Sequence, residues 1–252
     1  HPLLTERRVS DVIMERDILL HFPYHSFLPL IDLIREAAFD PDVTTIKITC
    51  YRLAPQSKII NALINAVRNG KEVVVVIELR ARFEEEANIE WKNRLEEEGA
   101  KVLVGIPNMK VHAKICSIRK KTKDNNFNWY GFVSTGNLNE RTAKVYADHC
   151  LLTSNQKIMG DVNRIFNYLE QPKTGAHFLK ACKTLVISPL YMRKHLTTLI
   201  NHEIKNAKNG KSAGILLKLN SLSDEALINK LYEAAYAGVE IHMVIRGICC
   251  MI

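Results

Sequence analysis

The sequence predicts an α/β fold in which helices flank a mostly parallel sheet. Its 252 residues, 47% of them hydrophobic, are enough to bury a full core. Segments of alternating, β-branched residues are followed by segments whose apolar residues recur every three or four positions. One strand candidate, "KEVVVVIEL" at 71–79, is apolar almost throughout, which is typical of a parallel strand covered on both faces. The same order of strand, helix, glycine and strand recurs from residue 213 onwards.

The first half of the chain contains a predicted β-α-β unit, preceded by a helix. That helix, at 25–40, ends at Asp40 and has apolar residues at helical spacing. These residues are Leu28, Ile31, Ile34 and Ala38. A β-branched strand is predicted at 44–51, and a helix at 57–70 carries one apolar face and ends at Gly70, a left-handed C-terminal cap. The apolar strand described above then completes the unit.

Further helices and strands are predicted after the β-α-β unit. A helix at 84–99 has Trp91 and Leu95 on its apolar face, and a later helix breaks at Pro172. Polar residues at 120–128 predict a hairpin loop between two strands. The predicted strands lie at 101–105, 110–118, 129–134 and 145–153.

The second half of the chain repeats the pattern of the first. Aligning Gly70 with Gly238 brings equivalent apolar helix positions together. The aligned pairs are Ile60 with Ile228, Leu63 with Leu231 and Ala66 with Ala234. True internal duplication and ordinary β-α-β patterning both explain this match. If the duplication is real, the counterpart of the strand at 110–118 lies beyond residue 252, so we expect the chain to stop partway through its second half.

Charge and cysteine content limit the classes of partner and compartment. The formal net charge of +8 favours an anionic partner such as nucleic acid, a membrane surface or a polyphosphorylated ligand. The six cysteines include no CxxC pair, which indicates reduced thiols in a cytosolic protein rather than a disulfide framework or a zinc site. No apolar run approaches membrane-spanning length. The lack of an initiator methionine predicts a fragment.

His112 and Lys114 are the first candidates for a chemical site. Both lie in "MKVHAKI", and because side chains alternate along a strand, we expect them to face the same way. A neutral imidazole can attack phosphorus, and a neighbouring ammonium disfavours its protonation and offers a donor to phosphate oxygens. The pattern H-x-K is common by chance, so a structural histidine at the end of a strand is the alternative.

Residues at other predicted strand ends strengthen this candidate site. A small-residue turn supplies Thr135, Gly136 and Asn137, whose donors could hold a phosphate or the second imidazole nitrogen; a turn without function is the alternative. Arg52 and Arg82 close two strands, and ligands of open α/β sheets gather beyond the carboxyl ends of the strands. Each arginine alone is more typical of a salt bridge, but together they predict an anion site.

The H-x-K pattern followed by a turn that ends in asparagine resembles the phospholipase D superfamily, in which two half-sites from two similar domains form one active centre. The aspartate usual five residues after the lysine is replaced by Arg119, which counts against an ordinary phosphodiesterase. Longer strings along essentially the whole chain resemble the bacterial polyphosphate kinase family. These strings are "YRLAPQSKII", "ELRARFEEEANIEW", "MKVHAKI", "TGNLNERTAKVYADHCLLT" and "VIRGICCMI".

This resemblance implies roles for four of the candidate residues. His112 matches the histidine that becomes phosphorylated, and Lys114 is the candidate for charge stabilisation. Arg52 and Arg82 match the family's phosphate and magnesium site. Because an arginine cannot coordinate a cation, we expect both to bind the phosphates that hold magnesium.

The resemblance also implies a nucleotide site. Tyr146 and Arg246 match positions of that site, although the residues alone would indicate a strand aromatic and a strand-end salt bridge. The family's second histidine has no counterpart in the sequence, so we expect the fragment to fold its first domain well, to leave strands of the second exposed and to be nearly inactive.

The implied activity is reversible transfer of the terminal phosphate of ATP to polyphosphate through a phosphohistidine, with Mg²⁺ and ATP or ADP as cofactors. The implied fold is a phospholipase D-like mixed sheet flanked by helices, with a first catalytic domain at 1–184 and the N-terminal part of a second at 185–252. We expect a cytoplasmic protein that is a homo-oligomer when complete and has no transmembrane segment, with peripheral membrane association left open. The alternatives are a phospholipase D-like phosphodiesterase or nuclease, and a non-catalytic nucleic-acid-binding module.

Overall fold

The computed structural model describes residues 2–51, 53–54, 56–78, 85–107 and 109–252. The chain divides into two compact units, His1–Leu185 and Val186–Ile252. Each unit has buried hydrophobic clusters of its own, as is typical of structural domains.

The described part of the first unit contains a sheet of seven strands. The strands are β1 (Ile18–Phe22), β2 (Val43–Cys50), β3 (Glu72–Ile77), β4 (Lys101–Val104), β5 (Lys114–Lys121), β6 (Phe127–Ser134) and β7 (Asp148–Thr153). Their spatial order is β1-β7-β6-β5-β2-β3-β4. The expectation of a mostly parallel sheet holds only for β2, β3 and β4, and the other pairs are antiparallel. A short hairpin joins β5 to β6, and such a connection requires antiparallel strands. The sheet is therefore mixed, which confirms the mixed α/β class.

Helices cover both faces of this sheet. They are α1 (Leu3–Glu6), α2 (Val9–Glu15), α3 (Leu28–Phe39), α4 (Lys58–Arg68), α5 (Glu85–Glu97), α6 (Gln156–Glu170) and α7 (Ala176–Lys180). The larger core forms between α2, α3, α4, α5 and one face of the sheet, where Ile46 and Ile48 are fully buried. On the other face, Phe166 of α6 belongs to a cluster with Val76 and Ile115. The sheet is thus flanked by helices, as predicted.

The β-α-β unit formed by β2, α4 and β3 confirms the sequence prediction. The Ser57 side chain caps α4 by accepting a hydrogen bond from the Ile60 N–H. The predicted core positions Ile60, Leu63 and Ala66 are fully buried, and each large apolar side chain buried here contributes about 1.5–3 kcal/mol. Gly70 has φ of 76°, the left-handed conformation that a helix end of this kind requires.

The strand predicted at 110–118 begins only at Lys114, so His112 lies before the strand and not on it. The cause is a side chain that takes the place of a backbone partner. The Thr49 hydroxyl donates to the Ala113 carbonyl oxygen at 2.6 Å, so this oxygen bonds a side chain instead of a strand backbone. The expected alternation also fails, because His112 and Ala113 are exposed whereas Lys114 is buried. An irregular segment therefore carries the candidate nucleophile.

The strand predicted at 145–153 begins at Asp148, which leaves Tyr146 in a turn. Residues Thr142–Lys144 form one 3₁₀ turn, and the N–H groups of Val145 and Tyr146 both donate to the Thr142 carbonyl oxygen at 3.0 Å. Donors used within the turn cannot join the ladder with β6.

The second unit combines two helices with a two-stranded parallel sheet. Its elements are α8 (Met192–Lys208), β8 (Gly214–Leu219), α9 (Glu225–Tyr236) and β9 (Glu240–Ile245). Its buried cluster contains the predicted positions Ile228, Leu231 and Ala234. Gly238 repeats the left-handed conformation of Gly70, with φ of 89°. On the opposite sheet face, Leu216 is 82% exposed and Val244 is 62% exposed. The strands of this unit are therefore buried on one side only.

The cysteines differ in how far their thiols are buried. All six cysteines are free thiols. Burial raises the pKa of Cys50 and of Cys150 to about 12, so both remain protonated and unreactive at neutral pH.

None of the described helices is both long enough and apolar enough to cross a bilayer.

Candidate functional site

The candidate site lies at the end of the seven-stranded sheet where the parallel strands β2 and β3 have their C-terminal residues. This end of the sheet is called the site edge below. Cys50 and Ile77 are paired at the ends of β2 and β3, so these parallel strands end level with each other. Because β5 is antiparallel to β2, its first residue, Lys114, lies at the same edge. Ser134, the last residue of β6, pairs with Lys114. The segments that leave these strands therefore meet where α/β sheets bind their ligands.

His112 and Lys114 contact each other directly at this edge. The Lys114 Nζ lies 2.8 Å from Nδ1 and 3.0 Å from Nε2 of the His112 ring, and it donates to the His112 carbonyl oxygen at 2.7 Å. Lys114 is only 3% exposed, whereas His112 is exposed. A ligand can therefore reach the imidazole from solvent, while a buried ammonium holds the ring.

Tyr51, the residue after β2, forms a wall against the imidazole. Its ring meets the His112 ring edge-on, with the centroids 4.7 Å apart and the planes at 68°. The Nζ atoms of Lys110 and Lys114 lie 5.1 and 4.9 Å from the Tyr51 centroid, within cation–π range. One positive charge thus contacts the imidazole and a second lies over the Tyr51 ring that packs against it, which suits an anionic ligand such as a phosphoryl group.

Asn88, inside α5, joins the ends of β2 and β3, a role that the sequence interpretation missed. It is fully buried, and its Nδ2 donates to the carbonyl oxygens of Tyr51 and Glu78, both at 3.0 Å. The indole N–H of Trp91 donates to the Ala54 carbonyl oxygen at 3.0 Å. The available signal was the position of Asn88 on the apolar face of α5, three residues before Trp91.

Arg52 and Arg82, the predicted phosphate-binding arginines, lie outside the described residues. Three residues close to Arg52 along the chain, Tyr51, Leu53 and Ala54, are all buried. The backbone on both sides of Arg52 is thus anchored in the fold.

The turn that contains Thr135, Gly136 and Asn137 follows β6 and packs against β7. The Thr135 hydroxyl donates to Asp148 Oδ1 at 2.8 Å, and the Gly136 N–H donates to Ser134 Oγ at 3.2 Å. A β-carbon at Gly136 would lie 2.7 Å from the Asp148 carboxylate, so a larger residue there would have to displace that side chain. The Asn137 Oδ1 is buried and has no hydrogen-bond partner within the part of the chain that the structure describes. Two of the predicted ligand donors are therefore engaged in holding the turn itself.

Tyr146 and Arg246, the predicted nucleotide-site residues, belong to different units. Tyr146 is 41% exposed and precedes β7. Arg246 is exposed, follows β9, and donates through Nε and Nη2 to the Asn220 Oδ1 at 3.1 and 2.7 Å. Each is therefore an exposed residue beside the end of a strand.

The described residues offer few ligands to a metal ion. Among them, no group of three or more His, Cys, Asp or Glu side chains is placed to hold one. The ammonium groups of Lys110 and Lys114 both lie over the Tyr51 ring, which packs against the His112 ring.

Two family descriptions match almost the whole chain. "Polyphosphate kinase C-terminal domain 1" matches residues 8–175, and "Polyphosphate kinase C-terminal domain 2" matches residues 185–252. The first match alone covers more than half of the chain.

Curated proteins named polyphosphate kinase are similar along the chain. That of Vibrio cholerae is 50% identical over 242 residues, which are 96% of this chain and 34% of the relative. That of Escherichia coli strain K12 is 44% identical over 246 residues, which are 98% of this chain and 35% of the relative. The chain thus spans about a third of the length of these curated relatives.

A solved structure shows the same fold. The crystal structure of polyphosphate kinase from Porphyromonas gingivalis matches with a TM-score of 0.86 and 38% sequence identity, covering 100% of this chain and 41% of that chain. Family descriptions, curated sequences and a crystal structure thus agree, and the chain belongs to the polyphosphate kinase family.

Proposed function

We propose that the chain is the catalytic part of an enzyme that transfers the terminal phosphate of ATP reversibly to polyphosphate. The observation that carries this proposal is the exposed His112 ring, with the buried Lys114 Nζ 2.8 Å from its Nδ1. An imidazole nitrogen with an available lone pair is a competent nucleophile toward phosphorus. The net charge of +8 supports a polyanionic product, because a basic surface attracts a polyanion through charge alone.

The reaction is a double displacement at His112. As the substrate binds, the Lys114 ammonium turns from the ring to a phosphate oxygen and frees the lone pair of one ring nitrogen. This nitrogen attacks the γ-phosphorus in line, a P–N bond forms, and the P–O bond to ADP breaks with its electron pair leaving on ADP. In the second step, a terminal oxygen of polyphosphate attacks the same phosphorus. A P–O bond forms, the P–N bond breaks, and its electron pair returns to the imidazole. The same steps in reverse pass a phosphoryl group from polyphosphate to ADP.

Positive groups stabilise the charge of the transferring phosphoryl. Lys114 fixes the ring and places an ammonium beside the reacting phosphorus. Arg52 and Arg82 are proposed to bind the equatorial and bridging oxygens, since guanidinium matches phosphate in a bidentate way. When bound through those phosphates, Mg²⁺ supplies further neutralisation of their charge.

The remaining candidate residues are proposed to support the substrates. Tyr146 and Arg246 bind the nucleotide, and the turn of Thr135, Gly136 and Asn137 supports the edge of the site. The exposed positions of Tyr146 and Arg246 at strand ends are compatible with this role.

The domain and cellular assignments are further proposals. Residues 1–184 form a first phospholipase D-like catalytic domain, and residues 185–252 form the N-terminal part of a second. Six free cysteines support a reducing, cytoplasmic location. The proposed homo-oligomer rests on the family resemblance alone.

Phosphoenzyme labelling tests this function. The complete enzyme, incubated with γ-labelled ATP, should acquire acid-labile, base-stable label that His112→Ala abolishes. His177→Ala, a substitution of another exposed histidine, is the matched control and should label normally. No label on the complete wild-type enzyme would refute the kinase mechanism. Phosphodiester cleavage would then favour the nuclease, and salt-dependent nucleic-acid binding without turnover would favour the binding module.

Lys114→Met should lower the labelling rate by about a hundredfold or more, because it removes a preorganised charge from the reacting centre. Lys121→Met, at the exposed far end of the same strand, is the matched control and should have little effect. Equal labelling rates in both variants would exclude a role for the Lys114 charge.

A further inference from the structure

Side chains from β2 and from the end of β3 hold the backbone on both sides of His112. On one side, the Val111 N–H donates to the Glu78 Oε2 at 3.2 Å. On the other, the Thr49 hydroxyl donates to the Ala113 carbonyl oxygen at 2.6 Å. The histidine is thus the central residue of a segment that is fixed at both ends.

The Thr49 hydroxyl makes hydrogen bonds to the β5 segment just beyond the point where the backbone pairing of β2 with β5 ends. The last paired residues of these strands are Ile48 and Cys116. Beyond them, the Thr49 oxygen accepts from the Ile115 N–H at 3.0 Å. The single hydroxyl therefore replaces the ladder bonds on both sides of Lys114.

Both side chains are themselves held in rigid surroundings. Thr49 is 3% exposed and lies within β2, and Glu78 is 7% exposed and directly follows β3. The Glu78 N–H donates to the Cys50 carbonyl oxygen, and Asn88 binds the Glu78 carbonyl oxygen. Groups on packed strands define a position more precisely than groups on loops do.

We propose that Thr49 and Glu78 are positioning residues that set the His112 imidazole for in-line attack, an inference that rests on the proposed function of His112. Both act through the backbone next to the histidine. Their loss should lower kcat and the rate of phosphoenzyme formation about tenfold to a hundredfold, since a displacement near 1 Å has effects of this size. The KM for ATP should stay unchanged, because the nucleotide is bound by other residues.

The complete enzyme with substitutions at Thr49 provides the first test. Thr49→Val removes the hydroxyl at nearly constant volume, and Thr49→Ser restores it. Thr45→Val is the matched control, because the buried Thr45 hydroxyl lies on the same strand and donates to the Glu72 Oε2 at 3.0 Å, far from the site edge. We expect slow labelling in Thr49→Val, near-normal labelling in Thr49→Ser and in the control, and similar losses of thermal stability in the two valine variants.

Substitutions at Glu78 test the other anchor. Glu78→Ala removes the acceptor for the Val111 N–H, whereas Glu78→Gln keeps an oxygen acceptor there. We expect the alanine variant to label slowly and the glutamine variant to recover most of the rate. Equal losses in both variants would overturn the positioning role of Glu78.

The outcomes separate this proposal from the proposed function. If Thr49→Val and Glu78→Ala label as fast as wild type while His112→Ala does not label, the positioning role is wrong and the kinase mechanism stands. If His112→Ala still labels, the proposed function fails, and the positioning proposal fails with it. A raised KM with unchanged kcat in Thr49→Val would also overturn the proposal, because it would indicate a role in substrate binding.

Discussion

Replacing Asn88 by alanine should destabilise the first unit by about 2–5 kcal/mol. The two hydrogen bonds of its Nδ2, to the carbonyl oxygens of Tyr51 and Glu78, are both 3.0 Å long and buried. A buried polar group left without its partner costs about 1–3 kcal/mol, which gives about 2–6 kcal/mol for two carbonyl groups. The third bond, from the Leu53 N–H at 3.4 Å, adds little. The higher helix propensity of alanine offsets about 0.5 kcal/mol of this loss.

Urea unfolding followed by circular dichroism measures the effect, with Asn93→Ala as the matched control. Asn93 lies on the same helix but is exposed, so the same substitution there should be neutral or slightly stabilising. Because Asn88 ties together the strand ends beside His112, its loss should also slow phosphoenzyme formation. An unfolding free energy of Asn88→Ala within about 0.5 kcal/mol of the control, the usual range for surface substitutions, would refute the reasoning.

Two further predictions concern the turn after β6 and the segment after α7. Gly136→Ala should cost about 1–3 kcal/mol, since its β-carbon would lie 2.7 Å from the Asp148 carboxylate, whereas Gly160→Ala on α6 should not destabilise; urea unfolding compares them. Asp161 accepts hydrogen bonds from the backbone N–H groups of residues 183–185, at 2.6 to 2.9 Å. Burial raises the pKa of Asp161, but these hydrogen bonds, together with one from the Arg164 side chain, outweigh burial and hold the pKa below its usual value of 3.8. Its stabilisation is therefore present above about pH 4 and is lost as pH falls through the lowered pKa, and acid unfolding of Asp161→Asn should lack this pH dependence.

Local patterns were enough to predict the parallel side of the sheet. The helix α4 has its apolar residues at regular spacing and a left-handed glycine, Gly70, at its end, so each signal lies within a few residues of the element it defines. The short edge strand β1 was not predicted. It has five residues, and its partner β7 lies about 130 residues further along the chain, so a contact distant in sequence decides its structure.

The site residues that sequence reasoning missed act through contacts distant in the sequence. An asparagine such as Asn88 in a helix suggests a solvated face, and only its place on the apolar stripe with Trp91 and Leu95 indicates burial. The start of β5 depends on Thr49, a residue more than sixty positions away. A prediction from strand propensity alone continues the strand through His112. Propensity describes only neighbouring residues, so it does not account for a distant side chain that competes for the backbone hydrogen bonds.

The two-residue spacing of His112 and Lys114 follows from the cost of burying the lysine. A buried ammonium is stable only when its donors are satisfied. At this spacing, the Lys114 side chain bends back to the His112 carbonyl oxygen and to the ring, and it also lies over the Tyr51 ring. The histidine ring therefore helps to satisfy the buried charge, and the buried charge in turn orients the ring. The pair forms because the segment before Lys114 leaves the sheet, since in a regular strand both side chains would extend away from the backbone. The irregular backbone held by Thr49 and Glu78 is thus what brings the ring of a common H-x-K pattern against a buried ammonium, and that ring is the proposed nucleophile.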